Sequence, residues 1–305
     1  MARAPHVLML FLDGVGIGHK DSHNNPFFAT TLDTFSRVLG GTMPHLRKAH
    51  LSSWFATLAP VNATLGIAGL PQSGTGQTSL MTGVNAARHI GKHFGPYPYS
   101  SLKPVIQERN IFRQLHTMGK KVFYVNAFPR QFFEHIRSTK TRTTAITMSW
   151  MLSGFTLNDD KVLATGKALS ADITSERWNA LGYPDMPVLT TQGAGRRLVE
   201  LAKQHDFVLY EYYFTDHAGH SQSISEARQV LQKLDGLLEG ILSTFDHEKM
   251  LLLITSDHGN LEDLSTKTHT RNPVPLLCVG TKHRQVADRV KNLTHVTPAI
   301  VQLFK

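Results

Sequence analysis

An aspartate and a histidine four residues apart are the strongest chemical signal in this sequence. In the stretch TDHAGH, Asp216 and His220 fall on one face of a predicted helical turn, and Gly219 leaves room beside them. A carboxylate oxygen together with an imidazole nitrogen suits zinc, manganese or iron. An isolated pair of this kind is more often a structural hydrogen bond. It indicates a metal site only if other parts of the chain supply further ligands.

Three further acidic or imidazole positions follow apolar runs. Asp257 and His258 leave the run KMLLLIT together, and because neighbouring residues of a strand point to opposite faces, both reach one ion only if the chain turns, which Gly259 permits. His269 lies in THTRNPVP, before a proline-restricted loop. Asp13 follows HVLMLFL and precedes GVGIGH, which lacks the third glycine of a dinucleotide-binding loop. Taken singly, each has a structural explanation.

Taken together, these residues predict a pair of metal sites. The predicted ligands form two sets, one of Asp13, Asp257 and His258 with a hydroxyl, and one of Asp216, His220 and His269. Two metal ions about 3.5 to 4 Å apart can polarise a phosphoryl group and stabilise both the attacking and the leaving oxygen. The first set therefore needs a serine or threonine nearby.

The stretch LPQSGTGQTSLMTG, from Leu70 to Gly83, supplies such hydroxyls at a predicted helix start. Ser73, Thr75 and Thr78 all lie there. A serine or threonine at this position is by itself most often the cap of the helix. The same place also suits a phosphorylated oxygen, because free backbone N–H groups stabilise its negative charge.

Short apolar runs alternate with helical patterns along the chain and must position these residues. We predict strands in HVLMLFL, KKVFYVNAF, DFVLYEYYFT and KMLLLITS. Apolar residues recur three and four apart over residues 104–118, 193–204 and 223–245. This alternation predicts a mostly parallel sheet covered by helices on both faces. Ligands bind beyond the carboxyl ends of such strands, where Asp13, Asp216 and Asp257 should meet.

Residues 127–186 interrupt this alternation. They contain the basic stretch RQFFEHIRSTKTR, a helical segment with Met and Trp, and many polar turns. We predict a discontinuous metal-binding core, residues 1–126 and 187–305, with a small cap or insertion between its two parts.

Composition narrows the class of protein. The chain has 305 residues, and a hydrophobic content of 41% is enough for a large buried core. The only cysteine, Cys278 in VPLLCVG, excludes an intrachain disulfide and indicates a reducing compartment. The apolar run 7–12 is too short for a signal peptide, and no run approaches the roughly 20 apolar residues of a membrane span. We therefore predict a cytoplasmic protein that does not bind membranes.

The formal net charge of +9 favours an anionic partner. The basic residues form no single tract and no aromatic-interleaved nucleic-acid module, so we predict a small phosphorylated substrate and no nucleic acid. The composition does not predict an oligomeric state.

The order of the motifs DGVG, the glycine-rich hydroxyl stretch, DHAGH, DHGN and HTRNPVP resembles the alkaline phosphatase superfamily. It is most similar to the metalloenzyme branch that contains cofactor-independent phosphoglycerate mutase and phosphopentomutase. The resemblance implies a three-layer α/β/α sandwich with a mostly parallel central sheet, two divalent ions, zinc or manganese, and a serine or threonine that becomes phosphorylated. By motif, it assigns one ion to Asp216, His220 and His269, and the other to Asp13, Asp257, His258 and the nucleophile.

The resemblance leaves two positions for the nucleophile. The mutase pattern asparagine-serine-glutamate-valine-glycine-histidine, with its following glycine set on Gly83, puts its serine on Thr75. A sulfatase-like or bacterial-phosphatase-like pattern, counted back from TG, falls on Ser73. Because the other motifs resemble the mutase branch more closely, we predict Thr75 as nucleophile and metal ligand, with Ser73 as the alternative.

Basic residues that could contact the substrate are weakly specified. Arg130 lies roughly where the mutases place a substrate-contacting lysine, and we predict it as a substrate-binding residue. Other basic residues that could complement a phosphate are Arg88, Lys92, Arg137 and Arg142.

The predicted reaction follows from one departure from the mutases. They carry a large second domain after the nucleophile region, whereas only about 130 residues separate Gly83 from DHAGH here. We therefore predict a phosphatase or phosphodiesterase that hydrolyses a small anionic phosphate ester through a phosphorylated Thr or Ser. The alternatives are a mutase that transfers phosphate within a sugar or glycerate phosphate, sulfate-ester or phosphonate chemistry, and a non-catalytic metal-binding protein that retains the fold.

Overall fold

A seven-stranded sheet runs through the centre of the protein, whose structure is a computed structural model that describes residues 4–138 and 142–305. The strands in these ranges are, in chain order, β1 (His6–Leu12), β2 (Leu51–Ser52), β3 (Ala56–Val61), β4 (Val122–Tyr124), β5 (Asn126–Ala127), β6 (Leu169–Ser170), β7 (Phe207–Tyr212), β8 (Met250–Thr255) and β9 (Val274–Gly280). The central sheet has the order β2-β3-β9-β8-β1-β7-β4, and β5 and β6 form a small parallel sheet of their own.

The sheet is parallel where the ligand-bearing strands lie. β1 pairs in parallel with β7 and β8, with Leu10 opposite Tyr210 on one side and Ile254 on the other, and β4 pairs in parallel with β7. The remaining edge is antiparallel, because β9 runs opposite to both β8 and β3, and β2 opposite to β3. The prediction of a mostly parallel α/β sheet is therefore confirmed, and its four predicted strands are the parallel ones.

Helices cover both faces of the sheet. They are α1 (Pro26–Ala29), α2 (Asp33–Val38), α3 (Ser73–Thr82), α4 (Ala86–Ile90), α5 (Lys103–Arg109), α6 (Ile111–Thr117), α7 (Arg130–Arg137), α8 (Ala145–Leu152), α9 (Asp160–Ala164), α10 (Thr191–Lys203), α11 (Phe214–Ser221), α12 (Ile224–Leu242), α13 (His283–Arg289) and α14 (Val296–Gln302). Short 3-10 helices span Ser100–Leu102, Glu176–Leu181 and Leu293–His295.

Strand β1 shows how one buried strand serves two cores. Leu8, Leu10 and Leu12 belong to the cluster that also contains residues of α10 and α12. The alternate residues, Val7 among them, belong to the opposite cluster with residues of α3, α6, α13 and α14. Because successive side chains of a strand point to opposite faces, a continuously apolar strand indicates a sheet covered on both sides.

Two of the three predicted helices have nearly the predicted bounds, and the third is broken. Residues 193–204 and 223–245 correspond to α10 and α12. Residues 104–118 divide into α5 and α6 at Asn110, which lies in extended backbone. Its side chain accepts a hydrogen bond from Arg113 N at 3.0 Å and donates one to Ile106 O at 2.8 Å. Asparagine at this position caps the second helix, which ends the first.

The segment 127–186 contributes to the core as well as to a small cluster of its own. Ile146 and Trp150 of α8 pack in the core cluster that also contains Phe112 of α6. A separate apolar cluster consists of Ala127, Leu163, Ala168, Trp178 and Met186. The boundaries of a cap or insertion at 127 and 186 stay a prediction.

Two further predictions concern the burial of Cys278 and membrane-spanning helices. Cys278 is fully buried in β9, as its apolar surroundings in the sequence indicate. Within the ranges 4–138 and 142–305, every helix is too short or too polar to cross a bilayer.

Candidate metal centre

The carboxyl ends of the three adjacent parallel strands β8, β1 and β7 bring the predicted acidic ligands together. Asp13 directly follows β1, and its backbone N–H continues the strand pairing to Tyr212 O at 3.0 Å. Asp257 follows β8 by two residues, and Asp216 lies in the first turn of α11, just after β7. The predicted helical turn that carries Asp216 and His220 is confirmed as α11.

The first cluster consists of Asp13, Asp257 and His258. Potential ligand atoms of the three side chains lie within 4.8 Å of one another. His258 Nε2 is 3.2 Å from Asp13 Oδ1 and 3.6 Å from Asp257 Oδ2. Both of these oxygens are buried without a hydrogen-bond partner among the described residues, while Gln77 Nε2 donates to Asp13 Oδ2 at 3.4 Å. Two buried carboxylate oxygens that lack donors are what a cation site requires.

The second cluster consists of Asp216, His220 and His269 and adjoins the first. His220 Nε2 is 3.2 Å from Asp216 Oδ2 and 3.3 Å from His269 Nε2. His269 Nε2 is 3.8 Å from Asp216 Oδ1. The rings of His269 and His258 stack with their centroids 3.8 Å apart, so the two clusters share a wall.

Backbone carbonyls orient both histidines of the second cluster. His269 Nδ1 lies 2.8 Å from Pro71 O, and His220 Nδ1 lies 2.9 Å from Lys267 O. Since a carbonyl oxygen can only accept, Nδ1 of each ring carries the hydrogen and Nε2 keeps its lone pair for an ion.

The electrostatics of the two clusters indicate a shortage of positive charge. Burial, and then the negative charge of Asp13, raise the pKa of Asp257 well above its ordinary value. Although burial lowers it, the charges of Asp257, Asp13 and Asp216 raise the pKa of His258 to about 10. Burial and the neighbouring His258 lower the pKa of His269 to about 4. A divalent cation would relieve this repulsion between carboxylates, so the residues present fit a metal centre.

Two residues that the sequence did not single out stabilise the centre. Asn260 Nδ2 donates to Asp216 Oδ1 at 2.6 Å and to Asp216 O at 3.1 Å. Glu262 is buried, and its carboxylate accepts from Gly16 N and Asn260 N, both at 2.8 Å. It also accepts from Thr270 Oγ1 and from Asn272 Nδ2. Asn260 belongs to the DHGN motif, from which its role beside the site could have been predicted. Glu262 is recognised only in the structure, where the loops that contain Gly16, Asn260 and Thr270 meet around it.

We expect Asn260→Ala to weaken metal binding at the second cluster by about 10- to 100-fold, because Asp216 loses the donor that orients it. The protein should remain folded, since Asn260 contributes no apolar packing. Equilibrium dialysis against zinc or manganese measures the effect, and Asn179→Ala, at an exposed position, is the matched control. Equal affinity in both variants would show that Asn260 does not orient Asp216.

The structure brings Ser73, and not Thr75, to the first cluster. Ser73 is the first residue of α3, and its Oγ lies 2.9 Å from His258 Nε2. Thr75 Oγ1 instead donates to Gln72 O at 3.1 Å and accepts from Phe94 N at 3.2 Å. The predicted preference for Thr75 therefore has no support in the geometry, because its hydroxyl already serves the backbone.

The glycines beside these hydroxyls allow a close approach between α3 and two loops. A Cβ atom at Gly76 would lie 2.8 Å from Asp257 O, and one at Gly74 would lie 2.2 Å from Tyr97 O. Larger residues would push the start of α3 away from the cluster. Thr78, the remaining predicted hydroxyl, donates to Gly74 O at 2.6 Å.

The predicted substrate-binding residue Arg130 is not part of this centre. It lies at the start of α7, is 80% exposed, and forms an ion pair with Glu134 at 3.3 Å. Of the other basic residues named from the sequence, Arg142 lines a cleft next to the centre.

This cleft has a volume of about 700 Å³ and separates the sheet edge from the segment 127–181. Aromatic side chains, among them Tyr97, Phe128 and Phe214, share its wall with polar and charged residues. At its floor lies Glu211, a buried residue of β7 that accepts a hydrogen bond from Tyr124 Oη. A volume of this size suits a small molecule. The signal for Glu211 in the sequence is that it is a single charged residue within the apolar run FVLYEYYF.

Comparisons with known proteins identify relatives by sequence and by fold. Residues 182–305 match the family model described as the Metalloenzyme superfamily. The 2,3-bisphosphoglycerate-independent phosphoglycerate mutase of Methanococcus vannielii is 30% identical over 115 residues, which cover 37% of this chain and 27% of the mutase. The chain thus spans about a quarter of the length of the curated relatives it matches.

Solved structures share the fold over the whole chain. The alkaline phosphatase of the Antarctic bacterium TAB5 superimposes with a TM-score of 0.57 at 11% identity, covering 100% of this chain and 99% of that one. The PH0037 protein of Pyrococcus horikoshii gives a TM-score of 0.59 at 14% identity, covering 100% and 98%. The predicted alkaline phosphatase-like fold is therefore confirmed.

Proposed function

We propose that this chain, which has an alkaline phosphatase-like fold and resembles the cofactor-independent phosphoglycerate mutases, is a metalloenzyme that transfers the phosphoryl group of a small phosphate monoester to Ser73. The observation that carries the proposal is the position of Ser73 Oγ, 2.9 Å from His258 Nε2 in a cluster with Asp13 and Asp257. A non-catalytic metal-binding protein would need no hydroxyl at this place.

The two clusters would hold two divalent ions, one at Asp13, Asp257 and His258 and the other at Asp216, His220 and His269. Such ions lower the pKa of a nucleophilic hydroxyl and stabilise negative charge on phosphoryl oxygens. Mixed carboxylate and imidazole ligands suit both zinc and manganese, and we propose that the bound ions are one of these two metals.

The start of α3 supplies the rest of the phosphoryl site. The cap residue Gln72 makes no side-chain hydrogen bond to the first turn, and within the described residues the N–H groups of Ser73 and Gly74 have no acceptor. Free N–H groups at a helix start bind phosphate, and the helix dipole favours negative charge there. Ser73 Oγ would attack phosphorus, the ester bond would break, and the leaving alcohol would take up a proton.

For the second step we propose return of the phosphoryl group to another hydroxyl of the same substrate. Curated relatives such as those of Methanococcus vannielii and Methanocaldococcus jannaschii are named phosphoglycerate mutases, which favours this alternative over the hydrolysis predicted from the sequence. In this step the substrate hydroxyl attacks the phosphoserine, releases Ser73 Oγ and yields a positional isomer. With water as the acceptor, the same intermediate would give inorganic phosphate.

Phosphorus NMR of metal-loaded protein with single positional isomers of glycerate and sugar phosphates distinguishes the two acceptors. We expect isomerisation without inorganic phosphate, a loss of about 100-fold or more on chelation, and recovery with zinc or manganese. Release of inorganic phosphate alone would establish hydrolysis instead. Metal-loaded protein that neither turns over nor becomes phosphorylated by any of these esters, nor by p-nitrophenyl phosphate, would refute the proposed function.

A further inference from the structure

A buried glutamate in the wall of the cleft lacks part of its hydrogen bonding. Glu211 is 3% exposed and projects from β7, one residue before the strand ends. Its Oε2 accepts from Tyr124 Oη, but its Oε1 is buried without a hydrogen-bond partner among the described residues. A buried carboxylate oxygen without a donor is costly, so a donor from elsewhere is expected.

Glu262 shows what a purely structural buried glutamate looks like in this protein. Its two oxygens accept hydrogen bonds from Gly16 N, Asn260 N, Thr270 Oγ1 and Asn272 Nδ2. Both carboxylates are enclosed at the same edge of the sheet, and only that of Glu262 is fully bonded. The difference favours a role for Glu211 that involves a bound molecule.

The cleft adjoins the start of α3 and the helix that carries Asp216. Tyr213 and Phe214 line it, and two residues later α11 carries Asp216. Tyr97 lines it from the other side, and its carbonyl oxygen packs against Gly74, the residue after Ser73. The organic part of an ester whose phosphoryl group lies at Ser73 would therefore enter this cleft.

We propose that Glu211 determines the substrate class: its free oxygen accepts a hydrogen bond from a hydroxyl on a neutral organic group, and its charge disfavours a second anionic group. This inference rests on the proposed function. The aromatic wall suits the C–H faces of a small polyol or sugar, while Asp13 already places negative charge nearby. In a phosphate ester that carries a carboxylate, the carboxylate would lie beside the buried carboxyl group of Glu211, which is unfavourable.

The ionisation of Glu211 gives the selectivity a pH dependence. Burial raises its pKa to about 7, and the charge of Asp13 adds to the rise, while the hydroxyl groups of Tyr124 and Thr144 oppose it. Its titratable and charged surroundings are Asp13 after β1, Tyr124 on β4, Tyr213 after β7, and His135, Arg142, Asp172 and Arg177 on the covering segment. Above this pH the ionised carboxylate repels a second anion, and below it the neutral form does not.

Glycerol 3-phosphate and 3-phosphoglycerate are the probes, because they differ only in a hydroxymethyl group against a carboxylate. Metal-loaded Ser73→Ala protein is titrated with each ester in a calorimeter, with and without Glu211→Gln, which keeps the shape of the side chain. We expect the Ser73→Ala protein to prefer glycerol 3-phosphate by about tenfold, and Glu211→Gln to remove most of this preference. Glu239→Gln, an exposed position on α12, is the matched control and should leave the preference unchanged.

The wild-type protein provides a second measurement that does not depend on a variant folding. The ratio of kcat/KM for the two esters should rise in favour of glycerol 3-phosphate as increasing pH ionises Glu211, since the ionisation of the phosphate group cancels in the ratio. A preference for 3-phosphoglycerate, as expected if Arg142 or Arg177 binds its carboxylate, would overturn the assignment. Equal affinity for the two esters, or no binding of either, would also overturn the assignment of Glu211. Phosphorylation of Ser73 by p-nitrophenyl phosphate reports separately on the proposed function.

Discussion

Replacing Ser73 with alanine will abolish the phosphorylated intermediate, whereas replacing Thr75 with alanine will leave it in place. Ser73 Oγ lies 2.9 Å from His258 Nε2, and the hydroxyl of Thr75 is bonded to Gln72 O and Phe94 N. We expect Ser73→Ala to lower the rate by more than about 1000-fold, as removal of a nucleophile does. Intact mass and phosphopeptide mapping after brief incubation with p-nitrophenyl phosphate measure the intermediate.

The Thr75 variants should change stability instead of chemistry. In Thr75→Ala the partly buried Phe94 N–H loses its acceptor, which costs about 1 kcal/mol and is measured by urea unfolding. Thr75→Ser keeps the hydroxyl and serves as the control. Phosphate found on Thr75, or persisting in Ser73→Ala, would restore the assignment that we first made from the sequence.

The sequence was sufficient to predict that one edge of the sheet brings the three candidate acidic ligands together. Asp13, Asp216 and Asp257 each follow a continuously apolar run, and such runs pair in parallel because both of their faces must be covered. The carboxyl ends of parallel strands then coincide. The antiparallel edge was not predicted, since β3 contains Pro60 in a short apolar stretch and β9 begins next to proline-restricted residues.

The choice between Ser73 and Thr75 could not be made from spacing. The motif was anchored on Gly83, the left-handed C-cap of α3, and the whole helix lies between this anchor and its first residue. The contacts that favour Ser73 are local: Thr75 Oγ1 donates to Gln72 O, while Ser73 Oγ, at the first residue of the helix, lies 2.9 Å from His258 Nε2. Glu262 was not predicted for a different reason: one of its four donors, Gly16 N, is far away in the sequence, and the other three, Asn260, Thr270 and Asn272, form no recognisable motif with it.

Arg130 was assigned by its position after a strand, which does not specify where a long side chain points. In the structure it begins α7 and pairs with Glu134 one turn later, on the exposed surface. Glu211, by contrast, had a physical signal, because a carboxylate inside a fully buried strand needs a compensating partner.

Replacing Asp257 with asparagine will separate metal binding from folding. Asp257 is fully buried, and burial and the charge of Asp13 raise its pKa well above the ordinary range. The metal-free protein therefore carries a carboxyl group that is unfavourable without a cation, and an amide of the same shape removes that cost. We expect metal-free Asp257→Asn to be at least as stable as metal-free wild type, while its activity falls by more than about 1000-fold.

With metal bound, we expect wild type to be more stable than Asp257→Asn. At a metal concentration 100 times the dissociation constant, each site that binds only the folded state contributes about 2.7 kcal/mol to the free energy of unfolding. Wild type should gain this contribution from both clusters, and Asp257→Asn should lose that of the first cluster together with about one equivalent of bound metal. Thermal unfolding with and without zinc or manganese, and metal analysis after dialysis, measure the two effects. Asp288→Asn, on the exposed face of α13, should respond like wild type. The contrary result is that Asp257→Asn keeps two equivalents of bound metal and the full metal-dependent increase in the free energy of unfolding. That result would show that Asp257 is a structural residue, because a ligand that loses its charge must bind its metal ion more weakly.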